Sequence, residues 1–190
     1  MLALEGALAV LVNRDLCEVR RIALNADGLM DCDVAFAAKA KSVIHDLEAQ
    51  GFRPWIRGSW RSVEAQEQAF NSSRSELRLG FHNITGPRGE RRGFAMDVIE
   101  DQDSKNTSAK YAISLALAAR KYGLATGILW GLNSQERAAV GMAIETQRFD
   151  KSIKLGWDPC HLEPQGLTLT DALAQVDGET STRCPSRTRP

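Results

Sequence analysis

Four cysteines, Cys17, Cys32, Cys160 and Cys184, stand far apart in a chain of 190 residues, and no two form a Cys-x-x-Cys pair. Their spacing excludes a zinc ribbon and a thioredoxin-like motif and fits reduced thiols. A charge excess is also lacking, because 24 Lys and Arg balance 24 Asp and Glu. Without it there is no whole-molecule field to hold nucleic acid by counterion release, and no nucleic-acid partner is expected. Long apolar runs are missing: no stretch approaches the roughly 20 residues that cross a bilayer, so no stable membrane insertion is expected. The apolar start, Met1 to Val12, contains Glu5 and has neither a basic region before it nor a small-residue cleavage site before Asn13. It reads as a packed helix rather than a signal peptide.

What the chain does contain is ordinary globular composition, 43% hydrophobic and 25% charged, at the length of one domain. Apolar residues from Val34 to Leu47 recur at helical spacing, with Asp33 as N-cap and Gly51 as stop. The aromatic and β-branched segment 52–60 reads as a strand leading into a helix from Ser62 to Asn71, with Arg61 at the junction. Residues 72–92 are rich in polar residues, Gly and Pro and predict a long loop that holds His82. A strand over 94–99 carries Asp97, a helix spans Asn106 to Tyr122, and a strand runs from Leu124 to Trp130. Ser134 to Gln147 reads as an inserted helix, and a last strand over 155–163 carries His161. The Ser, Thr, Arg and Pro content of 178–190 predicts disorder. Between Arg53 and Arg92 the sequence has eight arginines, no lysine and four acidic residues. Such a patch is most simply a solvated face, yet it flanks His82, where an acidic peptide would approach.

The chemistry sits in three places: His82, Asp97 within Gly93-Phe-Ala-Met-Asp97, and Asp158-Pro-Cys-His161-Leu-Glu163. Two imidazoles and one carboxylate suit a borderline cation such as Zn2+, and three protein ligands leave a position for water. A further carboxylate, Asp158, lies three residues before the last histidine and is placed to act as a base. Glu163 alternates onto the strand face of His161, where it could orient that ring or serve a purely structural role. Trp130 and Trp157 are candidates for lining a cleft or for the core. His45 lies within a helix without a partner at i+4 and is left out of the site, and Cys160 reads as a small buried side chain.

These residues carry a resemblance. Gly93-x-Ala95-x-Asp97 and Asp158-x-x-His161 match the His-x-x-Gly-x-Ala-x-Asp and Glu/Asp-x-x-His pattern of the LAS zinc peptidases. That group comprises D-Ala-D-Ala carboxypeptidases and L-Ala-D-Glu endopeptidases and shares its fold with the hedgehog signalling domain. Gly58-Ser-Trp-Arg-Ser-Val-Glu-Ala-Gln66 resembles the segment that bears the group's substrate-side arginine. Two departures stand out. In the group the first histidine and the glycine lie three residues apart, whereas Asn83 to Arg92 intervene here, an insertion of eight; Gly86 is the other candidate for the motif glycine. The position two before His82, often serine in the group, is Gly80.

The resemblance implies an α+β fold with a small antiparallel sheet flanked by helices, in a peptidase domain over 33–165. Residues 1–32 would be a helical extension packed on it and 166–190 a partly disordered tail. It further implies one Zn2+ held by His82, Asp97 and His161, Asp158 as general base, and Arg61 stabilising an oxyanion or a substrate carboxylate, with Gln66 and Trp130 also against substrate. The implied activity is hydrolysis of a peptidoglycan stem peptide, of the L-Ala-D-Glu endopeptidase type. Without a signal peptide the chain would be made in the cytoplasm and reach the cell wall through a holin lesion, as an endolysin does, or by a secretion system. A D,D-carboxypeptidase or dipeptidase is the alternative enzyme, disfavoured by Gly80. A zinc-containing binding module without hydrolysis is the alternative of another class, disfavoured by the presence of Asp158.

Overall fold

In this computed structural model, the structure describes residues 18–181 except 73, 74, 76, 102–106 and 151. The expected helix over Met1 to Val12 and the end of the tail lie outside the described residues.

Residues 18–30 form helix α1, and Asp33 then caps α2 (Val34–Ala49): its Oδ1 accepts from Ala35 N at 2.9 Å and Phe36 N at 3.2 Å. Such a cap stabilises a helix by about 1 kcal/mol. The buried stripe is Phe36, Ala40, Val43, Ile44 and Leu47, and Gly51 at φ +86° ends the helix in a conformation that disfavours other residues. The chain then turns into β1 (Pro54–Gly58) and runs on into helix α3 (Val63–Asn71).

Helix α1 covers the outer side of β1. Asn25 Oδ1 accepts from Ile56 N at 2.8 Å, while Asn25 Nδ2 and Arg21 Nη1 donate to the Pro54 carbonyl at 3.1 and 2.6 Å. These bonds pair backbone groups that an edge strand would otherwise leave open. The approach is close enough to need glycine: a Cβ on Gly28 would come within 2.6 Å of Ile56 Cγ2.

The sheet is antiparallel throughout, in the order β1-β2-β4-β3, with β2 (Met96–Glu100), β3 (Leu124–Gly127) and β4 (Asp158–Pro164). β2 is buried along its whole length, so both of its faces are covered. Helices α2 and α4 (Ala109–Lys121) pack together against it, and Tyr111 of α4 donates its hydroxyl to the Val98 carbonyl at 3.1 Å. The principal core joins these helices to Met96, Val98, Leu124 and Leu162. A second cluster holds the outer side of α4 against α5 (Ser134–Thr146), through Ile113, Ile128, Leu132, Val140 and Ile144. The architecture is thus α+β, a small antiparallel sheet flanked by helices.

Several sequence expectations change: β3 ends at Gly127 rather than Trp130, and β4 begins at Asp158 rather than Leu155. The helix expected from Asn106 begins at Ala109, because Ser108 Oγ accepts from Tyr111 N at 3.2 Å and fixes the start. The tail expected from 166 instead carries α6 (Leu169–Ser181), whose Ala172 and Val176 are buried in the principal core. Residues 178–181, expected to be disordered, are its last turn.

Candidate metal centre

His82 is positioned by a single 3-10 turn, Phe81–Asn83, within the expected loop. Asn83 fastens the turn from both sides: its Oδ1 accepts from Gly80 N at 3.0 Å and its Nδ2 donates to the Arg61 carbonyl at 3.1 Å. Arg61 N in turn donates to the His82 carbonyl at 2.8 Å, so the turn hangs on the segment leaving β1. The His82 ring reaches back to the carbonyl of Ser59 through Nδ1.

The inserted residues form a hairpin-like excursion. Thr85 bridges Arg91 in antiparallel fashion, Gly86 N donates to Glu90 O at 2.7 Å, and Arg92 N donates to Ile84 O at 3.0 Å. The chain leaves after His82 and returns to the same place, where Phe94 N donates to Phe81 O at 2.8 Å. Arg91 ties the excursion down by an ion pair with Asp31 at 2.9 Å and by lying over the Trp60 ring at 4.8 Å, while Arg92 pairs with Asp33. The insertion therefore lengthens the path from His82 to Asp97 without separating them.

Asp97 on β2 and His161 on β4 are cross-strand partners. His82 Nε2 lies 3.8 Å from Asp97 Oδ1, and His161 Nδ1 lies 3.5 Å from the same oxygen. The donor atoms of all three residues fall within 4.8 Å of one another, and all three residues are buried. Two of those atoms, His82 Nε2 and Asp97 Oδ1, have no hydrogen-bond partner. Buried polar atoms are normally satisfied, so two orphans aimed at one point fit a cation that would sit between them.

Each of these groups is held from behind. The Ser59 carbonyl accepts a hydrogen bond from the Nδ1–H of His82, which leaves Nε2 with a lone pair. Glu163 Oε2 lies 3.1 Å from His161 Nε2, the role that strand alternation allowed for it. Arg61 Nη2 donates to Asp97 Oδ2 at 3.0 Å, and Arg57 stands 3.8 Å from that oxygen. His82, Asp97 and His161 could therefore hold a metal ion through Nε2, Oδ1 and Nδ1, with the outer face of every ligand fixed.

Electrostatics divide the two histidines. Burial pushes His82 down to about 4, so its imidazole is neutral. Burial acts the same way on His161, but the carboxylates of Asp97 and Glu163 beside it outweigh it and push His161 up to about 9. Burial also opposes the charge on Asp97, yet His161, His82 and Arg61 around it hold it well below the usual carboxylate range. The metal-free site thus keeps one proton on His161, near the point where a cation would sit.

Asp158 opens β4 with its Oδ2 4.0 Å from His161 Nδ1. The β3–β4 register is irregular there, and Gly127 opposite leaves no room for a side chain, since a Cβ would overlap the Asp158 carbonyl. Burial first, and then the charge of Asp97, push the Asp158 carboxyl up to about 6.

A cleft of about 500 Å³ opens over these groups, lined among others by His82, His161, Asp158, Glu163, Trp130 and Trp157. Trp130 packs on His161 with ring centroids 4.8 Å apart and on Trp157 at 5.1 Å, so both tryptophans belong to the site rather than the core. A second cavity, lined by Arg57, Gly58 and Gln68, shares Arg61, Ser75, Trp157 and Asp158 with the first. Asp158 therefore borders both cavities.

Two residues expected against substrate line the cleft and are also bonded internally. Gln66 is buried, accepts from Arg61 Nη1 at 3.4 Å, and donates to Ser75 Oγ at 2.8 Å and the Leu77 carbonyl at 2.7 Å. It steadies Arg61, Ser75 and Leu77 while lining the cleft. Arg61 lines the cleft, but both of its terminal nitrogens are engaged, one of them by Asp97. Sequence reasoning did not single out Arg57, which lies in the arginine-rich stretch, or Ser59, which lies in the Gly58–Gln66 segment. It also missed Arg137 of α5, which lines the cleft. Cys160 is buried against Thr107, with Sγ 3.1 Å from its hydroxyl, and is not among the convergent donors.

No family model and no curated protein matches the chain. Among solved structures it is similar to Serratia marcescens L-Ala D-Glu endopeptidase ChiX, with 15% identity, 80% of this chain and 91% of that chain covered, and a TM-score of 0.44. That likeness is too distant to assign a role to any residue, and the roles above rest on geometry.

Proposed function

We propose that this chain is a zinc-dependent peptidase that hydrolyses a stem-peptide bond of peptidoglycan, of the L-Ala-D-Glu endopeptidase type. The observation that carries the reading is the convergence of His82, Asp97 and His161 at the floor of an open groove, with Asp158 beside them. Two imidazoles and one carboxylate leave coordination positions open, as a catalytic zinc needs. Held by these three residues, zinc would supply Lewis acidity to a water and to the scissile carbonyl.

The chain's own residues do the rest. Asp158 takes the proton of the attacking water and later returns it to the leaving amine, in keeping with its place at the cleft wall. Arg61 holds Asp97 in its ligand orientation and adds fixed positive charge near the developing oxyanion. Trp130 and Trp157 shield the His161 side from water and give a peptide an apolar wall. Two cavities bordered by Asp158 support internal cleavage over release of a terminal residue, because a peptide seated in both would extend to either side of that residue. In this reading the chain meets the cell wall after delivery through a holin lesion or a secretion system.

The test is digestion of purified peptidoglycan with mass spectrometry of the fragments. The reading expects new amino termini on D-Glu and loss of activity on chelation. Release of terminal D-Ala instead would move the assignment to the carboxypeptidase reading.

A further inference from the structure

Helix α5 contributes one charged side chain to the cleft that none of the chemistry above uses. Arg137 follows a capping box in which Asn133 Oδ1 accepts from Glu136 N, and Glu136 Oε2 from Asn133 N, each at 2.9 Å. Lys154 pairs with Glu136 at 2.8 Å, so the acid adjacent to Arg137 in sequence is already neutralised. Arg137 Nε donates to the Leu132 carbonyl at 3.0 Å, which pins the guanidinium at a wall of the cleft near Trp130, Gly131 and Glu163. Glu163 is taken by His161. Among the described residues, neither terminal nitrogen of Arg137 has a hydrogen-bond or ion-pair partner. Arg61, the other arginine lining this part of the groove, has both of its terminal nitrogens engaged.

We propose that Arg137 is a specificity-determining residue that binds a free carboxylate of the substrate peptide. The inference rests on the peptidase reading for the identity of the ligand. A Glu residue acylated on its nitrogen uses one carboxyl group to continue the chain and keeps the other as a free carboxylate. A planar fork with two unengaged nitrogens, held by its third at the cleft wall, matches that group in a bidentate way. Arg137 is exposed at this wall, so an incoming carboxylate reaches it directly.

The test uses the zinc-loaded full chain and two peptides that both contain L-Ala-D-Glu, one with the free Glu carboxylate and one with it converted to a carboxamide. Binding is measured by calorimetry in the cold, before turnover is appreciable, for wild type, Arg137→Gln and Arg137→Lys, each with its zinc content and melting curve checked. Wild type binds the carboxylate form about 10- to 100-fold more tightly than the amide, the range of a charge-assisted pair. Arg137→Gln binds both forms equally, at the affinity of wild type for the amide, and Arg137→Lys keeps part of the preference because it keeps charge without the fork. A preference that persists in Arg137→Gln, or its absence from wild type, overturns the proposal. Cleavage of the same peptides is scored separately. No cleavage with the preference intact would remove the peptidase reading and leave the carboxylate site standing, whereas cleavage without preference would remove only the role of Arg137.

Discussion

Asp97 and His161 face one another in register on the two central strands, with Asp97 Oδ1 3.5 Å from His161 Nδ1. Antiparallel pairing thus brings two donors together from positions far apart in the chain, and only His82 must be added from outside the sheet. The hydrogen-bonded 3-10 turn adds it, so the centre is built largely on rigid elements, as a preorganised site requires.

Metal binding should release a proton. His161 is held protonated, pushed up to about 9, whereas His82 is neutral at pH 7. A cation must displace the His161 proton, so affinity rises with pH, about tenfold per unit between pH 6.5 and 8.5, and levels off above 9. Calorimetric titration with Zn2+ in buffers of different ionisation enthalpy should give close to one proton released at pH 7. A pH-independent affinity with no proton release would show that His161 is not a ligand.

Glu163 acts through His161. Replacing it in Glu163→Gln keeps a hydrogen-bonding group beside Nε2 but removes the charge, and metal affinity should fall about 10-fold, within the 10- to 100-fold range usual for such partners. The melting temperature of the metal-free protein should change little by comparison. Unchanged affinity, measured by competition with a chromogenic chelator, would make Glu163 a structural group only.

Asn25 is the main polar clamp between α1 and β1. In Asn25→Ala the Ile56 N–H loses its acceptor in a buried place, while Arg21 still serves the Pro54 carbonyl. Destabilisation of about 1 to 3 kcal/mol is expected from the unsatisfied group. Urea unfolding of the metal-free protein measures it, and an unchanged midpoint would mean that α1 is not fastened to the sheet in solution.

Much of this was legible in the sequence for particular reasons. Helix α2 announced itself through its apolar spacing and its Asp33 cap, and α5 ends within one residue of its expected end. Alternation along β4 correctly put Glu163 beside His161. What the sequence could not show was long-range. Nothing local says that residues 84–92 fold back on themselves, because the bonds that close the excursion form only when Phe94 meets Phe81. Gln66 lines the cleft, but its bonds to Ser75 and Leu77 join residues whose approach no local pattern announces. Helix α6 was hidden by its polar composition, although Leu169, Ala172 and Val176 recur at helical spacing and were the available signal.

The central claim is that His82, Asp97 and His161 hold zinc while Asp158 moves the proton. The most direct test measures zinc content by elemental analysis and the rate of amine release from peptidoglycan, for wild type and Asp158→Asn side by side. The account predicts one zinc per chain in both proteins and a rate about 10²- to 10⁴-fold lower in the variant, the usual contribution of a general base. Equal rates in the two zinc-loaded proteins would contradict it.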